Sequence, residues 1–146
     1  MPDPVSNFFM KTLVNSPLHP LLGGGIGVIT FLGRKTGKRY STPVNAVPDA
    51  GGFTVVSLKS RTWWRNLRSG GAASLRLAGK DYSVRGEVLE SREEASAGLA
   101  GYLERHPSYA KYFSVGLDAA GKPIEAEVEQ AAQERVVIYL HPMNGR

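Results

Sequence analysis

The sequence of 146 residues contains no cysteine, and this absence excludes several kinds of chemistry. Without a thiol, the chain has no disulfide, no thiolate metal ligand and no cysteine nucleophile. Its three histidines, His19, His106 and His141, do not follow the spacing of metal ligands, and neither an HExxH nor a GxSxG motif occurs. We therefore expect no metal site, and side-chain acid–base hydrolysis is poorly supported.

Long apolar runs are also missing from the sequence. The longest run, over residues 21–32, is rich in glycine and has about a dozen residues, whereas a membrane-spanning helix needs roughly 20. The first residues lack a basic segment ahead of an apolar one, so the sequence predicts no signal peptide. We expect a cytoplasmic protein, with association to a membrane surface left open.

The composition combines an ordinary hydrophobic content of 42% with an excess of positive charge. Eighteen lysines and arginines against 13 acidic residues give a net charge of +5. This charge favours an anionic partner, such as a phosphorylated cofactor, a nucleic acid or an acidic membrane. Because the cations cluster at two places rather than along one stripe, we do not expect nucleic acid to be the partner.

The densest cluster of cations, which we call the basic turn, covers residues 33–39 with the sequence Gly-Arg-Lys-Thr-Gly-Lys-Arg. An apolar run, Ile26 to Leu32, leads into it, and a strand-like run follows it. Lysine and arginine supply charge, glycine lets the backbone approach a ligand, and free N–H groups and hydroxyls complete a phosphate cradle. The alternative is a solvated hairpin tip. The motif is not a Walker loop, because GxxxxGK[ST] is absent.

A second distinctive segment carries two adjacent tryptophans, Trp63 and Trp64. Thr62 is a plausible helix N-cap and Gly70 or Gly71 a plausible stop, which predicts a helix of about two turns. Two neighbouring side chains of a helix cannot both point into one core, so we expect one indole to pack and the other to line a cleft. The alternative is that both only pack.

The remaining pattern predicts an α+β protein with about six mostly antiparallel strands and peripheral helices. Strands are predicted over residues 26–32, 41–47, 53–58, 73–77, 82–89 and 136–140. Helices are predicted over residues 5–14, from about 91 to 105, and over 108–113 and 124–133. The helix over 5–14 either packs on the core or contacts a membrane surface. We divide the chain into a lead-in, residues 1–22, and a cofactor-binding domain, residues 23–146.

Four segments taken together resemble the deazaflavin-dependent nitroreductase family. They are Thr-Phe-Leu-Gly-Arg-Lys-Thr-Gly at 30–37, Thr-Pro-Val at 42–44, Trp-Trp-Arg-Asn-Leu at 63–67 and Pro-Ser-Tyr at 107–109. Their order and spacing match over roughly residues 18 to 142. The resemblance implies a split β-barrel related to the FMN-binding pyridoxamine phosphate oxidases. It also implies reduced coenzyme F(420), an 8-hydroxy-5-deazaflavin, as the hydride donor to a quinone, a nitroaromatic or another electron-poor small molecule.

The same resemblance implies roles for individual residues. The phosphate and the acidic tail of the cofactor would lie along Arg34, Lys35, Thr36, Gly37, Lys38, Arg39, Thr42 and Pro43. The ring edge would pass Ser57, Leu58 and Lys59, and the pocket would be closed by Trp63, Trp64 and Asn66. Tyr109 and Tyr112 match tyrosines that border the acceptor site and would be catalytic; no metal is implied.

The chain departs from the family pattern in three ways: the loop between Ser57 and Trp63 is shorter than in well-known members, His106 replaces the first tyrosine of a set of three, and Tyr40 stands where an arginine is frequent. Two alternatives therefore stay open beside the deazaflavin enzyme. One is an oxidoreductase of the same fold that uses FMN, and the other is a non-enzymatic carrier of an anionic, phosphorylated ligand. Whether the protein is a monomer or a homodimer also stays open.

Overall fold

The computed structural model describes residues 26–33, 35–49 and 51–143. The predicted N-terminal helix, the proposed boundary at residue 22 and Arg34 lie outside the described residues. Within them, the strands are β1 Ile26–Leu32, β2 Arg39–Asn45, β3 Val47–Asp49, β4 Gly52–Leu58, β5 Ala72–Leu77, β6 Lys80–Leu89 and β7 Arg135–Pro142. The α-helices are α1 Arg92–Arg105 and α2 Glu125–Ala132, and the 3₁₀ helices are Thr62–Leu67, the tryptophan helix, and Pro107–Phe113, the tyrosine helix.

The seven described strands form one sheet in the order β2-β1-β5-β6-β7-β4-β3. The pairs β1–β2, β1–β5, β3–β4 and β5–β6 are antiparallel. A curled antiparallel sheet with a few helices confirms the predicted α+β split-barrel fold. Consecutive strands joined by short connections account for three of the six neighbouring pairs in this order, β1–β2, β3–β4 and β5–β6.

One predicted strand, residues 41–47, is two strands in the structure. Up to Asn45, which faces Ile26, the chain pairs with β1. After Ala46 the chain pairs instead with β4, beginning where Val47 faces Thr54. Of the two strands, β3 alone pairs with β4, because β2 pairs with β1.

The chain divides into two compact units, and the first comprises residues up to Val55, Trp63–Val88 and residues from Tyr139 onward. Its core includes Ile29, Leu67 and Leu75, each with no exposed surface. A Cβ on Gly86 would lie 2.7 Å from the Cβ of Leu67, so the glycine in β6 allows the tryptophan helix to pack directly on the sheet.

The second unit comprises Val56–Thr62 and Leu89–Ile138. Helix α1 begins as the capping pattern predicts, since the Ser91 side chain accepts the Glu94 N–H at 3.1 Å. The helix ends at Arg105, two residues before Pro107. Its buried face contributes Leu99 and Leu103 to the core of this unit.

Candidate functional site

The basic turn is closed by its own backbone. The Gly33 N–H donates to the Lys38 carbonyl at 2.7 Å, and the Gly37 N–H donates to the Gly33 carbonyl at 2.8 Å. Gly37 has a φ of 70°, a left-handed conformation that suits glycine. The predicted cradle of free N–H groups therefore needs a correction, because these two N–H groups and that of Lys38 are engaged inside the turn.

All described residues from Lys35 to Arg39 are exposed, so the turn presents its cations to solvent. Within the turn, Thr36 Oγ1 accepts the Lys38 N–H at 3.2 Å and lies 3.1 Å from the Tyr40 hydroxyl oxygen. We call Thr36 and Tyr40 the hydroxyl pair. A Cβ on Gly33 would lie 2.6 Å from Tyr40 Cε2, so the tyrosine ring covers this glycine directly. Only glycine at position 33 permits this contact without a shift.

Three aromatic rings, which we call the aromatic row, join the basic turn to the tryptophan helix. Tyr40 faces Phe31 across the β1–β2 pair, and their rings stack with centroids 6.1 Å apart and an angle of 28°. Phe31 in turn lies 6.2 Å from the Trp63 ring. Ring contacts within the first unit thus join the basic turn to the tryptophan helix, the two segments that the sequence analysis assigns to the cofactor.

The two tryptophans have different environments. Trp64 is 2% exposed and belongs to the core, with the Arg65 and Arg68 guanidinium carbons 5.6 and 5.2 Å from its ring centre. Trp63 is half-buried. The expectation that one indole packs is confirmed for Trp64, whereas a ligand-binding role for either indole stays a prediction.

The tryptophan helix is shorter and more tightly wound than predicted. It is a 3₁₀ helix that begins at Thr62 rather than being capped by it, and it ends at Leu67. Ser69 and Gly70 follow with φ values of 60° and 76°, and these left-handed residues stop the helix. The Asn66 side-chain amide donates to the Trp63 carbonyl at 2.9 Å, so it stabilises the helix that carries the indoles.

A buried hydroxyl on β2 has no hydrogen-bond partner among the described residues. Thr42 is 3% exposed, and its Oγ1 makes no hydrogen bond with any described residue. Because side chains alternate along a strand, Thr42 lies on the same face of β2 as Tyr40, and the buried Pro43 lies on the other. An unpaired buried hydroxyl costs about 1–3 kcal/mol, which a ligand that hydrogen-bonds to it would recover.

The predicted ring-edge residues belong to the second unit. Ser57 is buried, and its hydroxyl donates to the Leu58 carbonyl at 3.1 Å. The Lys59 N–H donates to the Glu134 carbonyl at 2.7 Å. This N–H group is therefore engaged in structure, and the role of these residues toward a ring stays a prediction.

The two candidate catalytic tyrosines lie on the tyrosine helix. Tyr109 is half-buried and stacks on His106, with ring centroids 5.3 Å apart and an angle of 12°. The rings of His106 and Tyr109 also contact the ring of Tyr102, which is 2% exposed. Tyr112 is half-buried beside the Lys111 ammonium, 5.3 Å from the ring centre.

Sequence reasoning missed Tyr102 as the base of this cluster. The available signal was its spacing of four residues from His106, which brings two side chains of a helix together.

Among the described residues, the histidines and acidic residues form no group able to hold a metal ion. Within the same part of the chain, no helix has the length and apolarity that crossing a membrane requires.

No protein-family model matches the sequence, and no curated protein is a significant sequence match. Solved structures match in fold. The heme storage protein HutZ from Vibrio cholerae superimposes with a TM-score of 0.54 at 10% identity, over 84% of each chain. A putative pyridoxamine 5'-phosphate oxidase from Listeria innocua gives 0.51 at 11% identity, over 96% of this chain and 94% of that one.

A third match, protein Atu2129 from Agrobacterium tumefaciens, has a TM-score of 0.51 at 16% identity. It covers 80% of this chain but 48% of the other, so this chain spans about half of that protein's length. Two structures named as F(420)-dependent reductases also match, but their TM-scores of 0.44 and 0.46 are too low to carry an argument. At these identities the likeness establishes the split-barrel fold.

Proposed function

We propose that this protein is an oxidoreductase that binds reduced coenzyme F(420) and passes a hydride to a quinone, a nitroaromatic or a similar electron-poor acceptor. The sequence resemblance over four segments suggests this activity. The observation that carries it is the aromatic row, which joins the cationic turn to the tryptophan helix. An exposed set of cations beside flat apolar rings suits a molecule with an anionic tail and a planar ring system.

The residues of the first unit supply binding in this proposal. Lys35, Lys38 and Arg39 attract the anionic part of the cofactor, and the buried Thr42 hydroxyl gains the hydrogen bond that it lacks. When bound, the reduced deazaflavin supplies the hydride. The protein contributes orientation and exclusion of water, as in other proteins whose cofactor carries the chemistry.

In the second unit, Tyr109 and Tyr112 are the proposed donors to the acceptor. Each phenol can donate a hydrogen bond to a carbonyl or nitro oxygen on which negative charge develops. Tyr109 is held by His106 and Tyr102, so its ring is ordered without a ligand. A Tyr109→Phe variant should keep cofactor affinity and lose turnover.

Binding is tested by titrating the protein with coenzyme F(420), oxidised and reduced, and with FMN in parallel. FMN is included because one structure of the same fold is named as a putative pyridoxamine 5'-phosphate oxidase. The proposal expects saturable binding of the deazaflavin and hydride transfer from its reduced form to a quinone or nitroaromatic. Tight binding of FMN alone would select the flavin enzyme, and binding of a phosphorylated ligand without turnover would select the carrier.

A charge variant tests the basic turn itself. Lys35→Ala/Lys38→Ala should weaken cofactor binding by about tenfold or more, since charge-assisted contacts are worth roughly 1.5–3 kcal/mol. Lys80→Ala/Lys122→Ala is the matched control, because it also removes two exposed lysines. Equal affinity of both double variants would remove the basic turn from the binding site.

A further inference from the structure

The hydroxyl pair of Thr36 and Tyr40 has one proton more than its internal bond uses. Each hydroxyl carries one donor proton, and one of the two protons makes the bond between Thr36 Oγ1 and the Tyr40 oxygen. The Lys38 N–H fills an acceptor position on Thr36 Oγ1. Whichever hydroxyl donates to the other, the second proton remains, and no described residue accepts it.

Three backbone N–H groups of the turn are already bonded within it and are not free to bind an anion. The N–H groups of Gly33 and Gly37 are bonded to carbonyls of the turn, and that of Lys38 is bonded to Thr36. An anion at the turn therefore meets exposed lysine side chains, which act as charges, and the hydroxyl pair, which acts as a directed neutral donor.

The position of the Tyr40 hydroxyl is fixed by contacts that do not involve Thr36. The ring lies over Gly33, at a distance that excludes any Cβ there, and stacks on Phe31 across the strand pair. A donor held in place before the ligand arrives loses little entropy on binding. Tyr40 consequently sets where Thr36 and its neighbours stand.

From these contacts we infer that the hydroxyl pair is the specific hydrogen-bond donor of the basic turn to a phosphate ester, and that Tyr40 is its positioning residue. This inference rests on the proposed function, because it names the recognition element for the anionic end of the same cofactor. The lysines attract the phosphate electrostatically, and salt weakens this attraction. The hydroxyl pair is neutral and recognises the phosphate through a directional hydrogen bond.

The test is calorimetric titration of the protein with inorganic pyrophosphate at several salt concentrations. Tyr40→Phe keeps the ring over Gly33 and removes the hydroxyl, so it should fold normally and bind about tenfold more weakly. Its loss of affinity should be the same at every salt concentration, because no charge is lost. Lys35→Ala/Lys38→Ala should instead flatten the dependence on salt.

Tyr82→Phe is the matched control, because Tyr82 is also half-buried in the first unit but belongs to β6. It should bind pyrophosphate like the wild type. Thr36→Val should weaken binding less than Tyr40→Phe, because Gly33 and Phe31 still hold the Tyr40 hydroxyl and its proton in place. Thr36→Val/Tyr40→Phe should lose less affinity than the sum of the two single losses, because the two hydroxyls act as a pair.

Several results would overturn the inference: wild-type affinity in Tyr40→Phe, equal losses in Tyr40→Phe and Tyr82→Phe, or no binding of pyrophosphate by the wild type. Fully additive losses in the double variant would show two independent contacts and would also refute the pair. If the wild type binds pyrophosphate through Tyr40 but binds neither coenzyme F(420) nor FMN, the proposed function fails and the hydroxyl pair stands.

Discussion

Replacing Gly33 by alanine should damage the basic turn through a single methyl group. The new Cβ would lie 2.6 Å from Tyr40 Cε2 and 2.9 Å from Thr36 Oγ1. Both distances are below van der Waals contact, so the tyrosine ring has to leave its place over residue 33. The ring stack on Phe31 and the bond to Thr36 would then be strained together.

The expected size of this effect follows from the contacts involved. Overpacking costs about 1–3 kcal/mol. At roughly 3 °C per kcal/mol for a domain of this size, the melting temperature should fall by about 3–9 °C. Affinity for pyrophosphate should fall at least as far as in Tyr40→Phe, because the hydroxyl is displaced rather than removed alone.

Thermal melting and calorimetric titration measure both quantities, with Gly37→Ala as the control in the same turn. Gly37 has a φ of 70° and open space around its Cβ position. Alanine there should cost roughly 1 kcal/mol of backbone strain without moving Tyr40. If Gly33→Ala melts and binds like the wild type, the tyrosine ring does not rest on this glycine and the reasoning on the turn is wrong.

Two other substitutions separate binding from stability. Thr42→Val replaces an unpaired buried hydroxyl with a methyl group of similar size. The free energy of unfolding of the ligand-free protein in urea should rise by about 1 kcal/mol, and coenzyme F(420) should bind more weakly. A lower free energy of unfolding would mean that the hydroxyl has a partner. Ser91→Ala removes the cap of α1 and should cost about 1 kcal/mol with unchanged affinity for pyrophosphate; an unchanged unfolding free energy would contradict the capping role.

Local sequence signals predict those helices and strands that depend on neighbouring residues in the chain. The prediction of a first strand is confirmed with its end at Leu32, and the capping pattern at Ser91 places the start of α1. The break at Ala46 could not be predicted in this way. It depends on which strands pair with the segments before and after Ala46, and these pairings are long-range.

The candidate site also combines features that local sequence predicts with features that depend on packing. Charge and glycine in the sequence predict the basic turn, and the adjacent positions of Trp63 and Trp64 predict that their environments differ. The internal use of the turn's N–H groups and the bond between Thr36 and Tyr40 depend on the conformation of the turn. That conformation comes from the packing of Tyr40 on Gly33 and Phe31, which no local pattern indicates.

Because the two indoles are buried to different extents, the tryptophan fluorescence of this protein contains its own reference signal. Trp64 is shielded in the core, so its emission should stay constant when a ligand arrives, whereas Trp63 lies at the end of the aromatic row. A change in tryptophan emission would then report events at Trp63 against a fixed background. Trp63→Phe should leave a spectrum that no longer responds to added coenzyme.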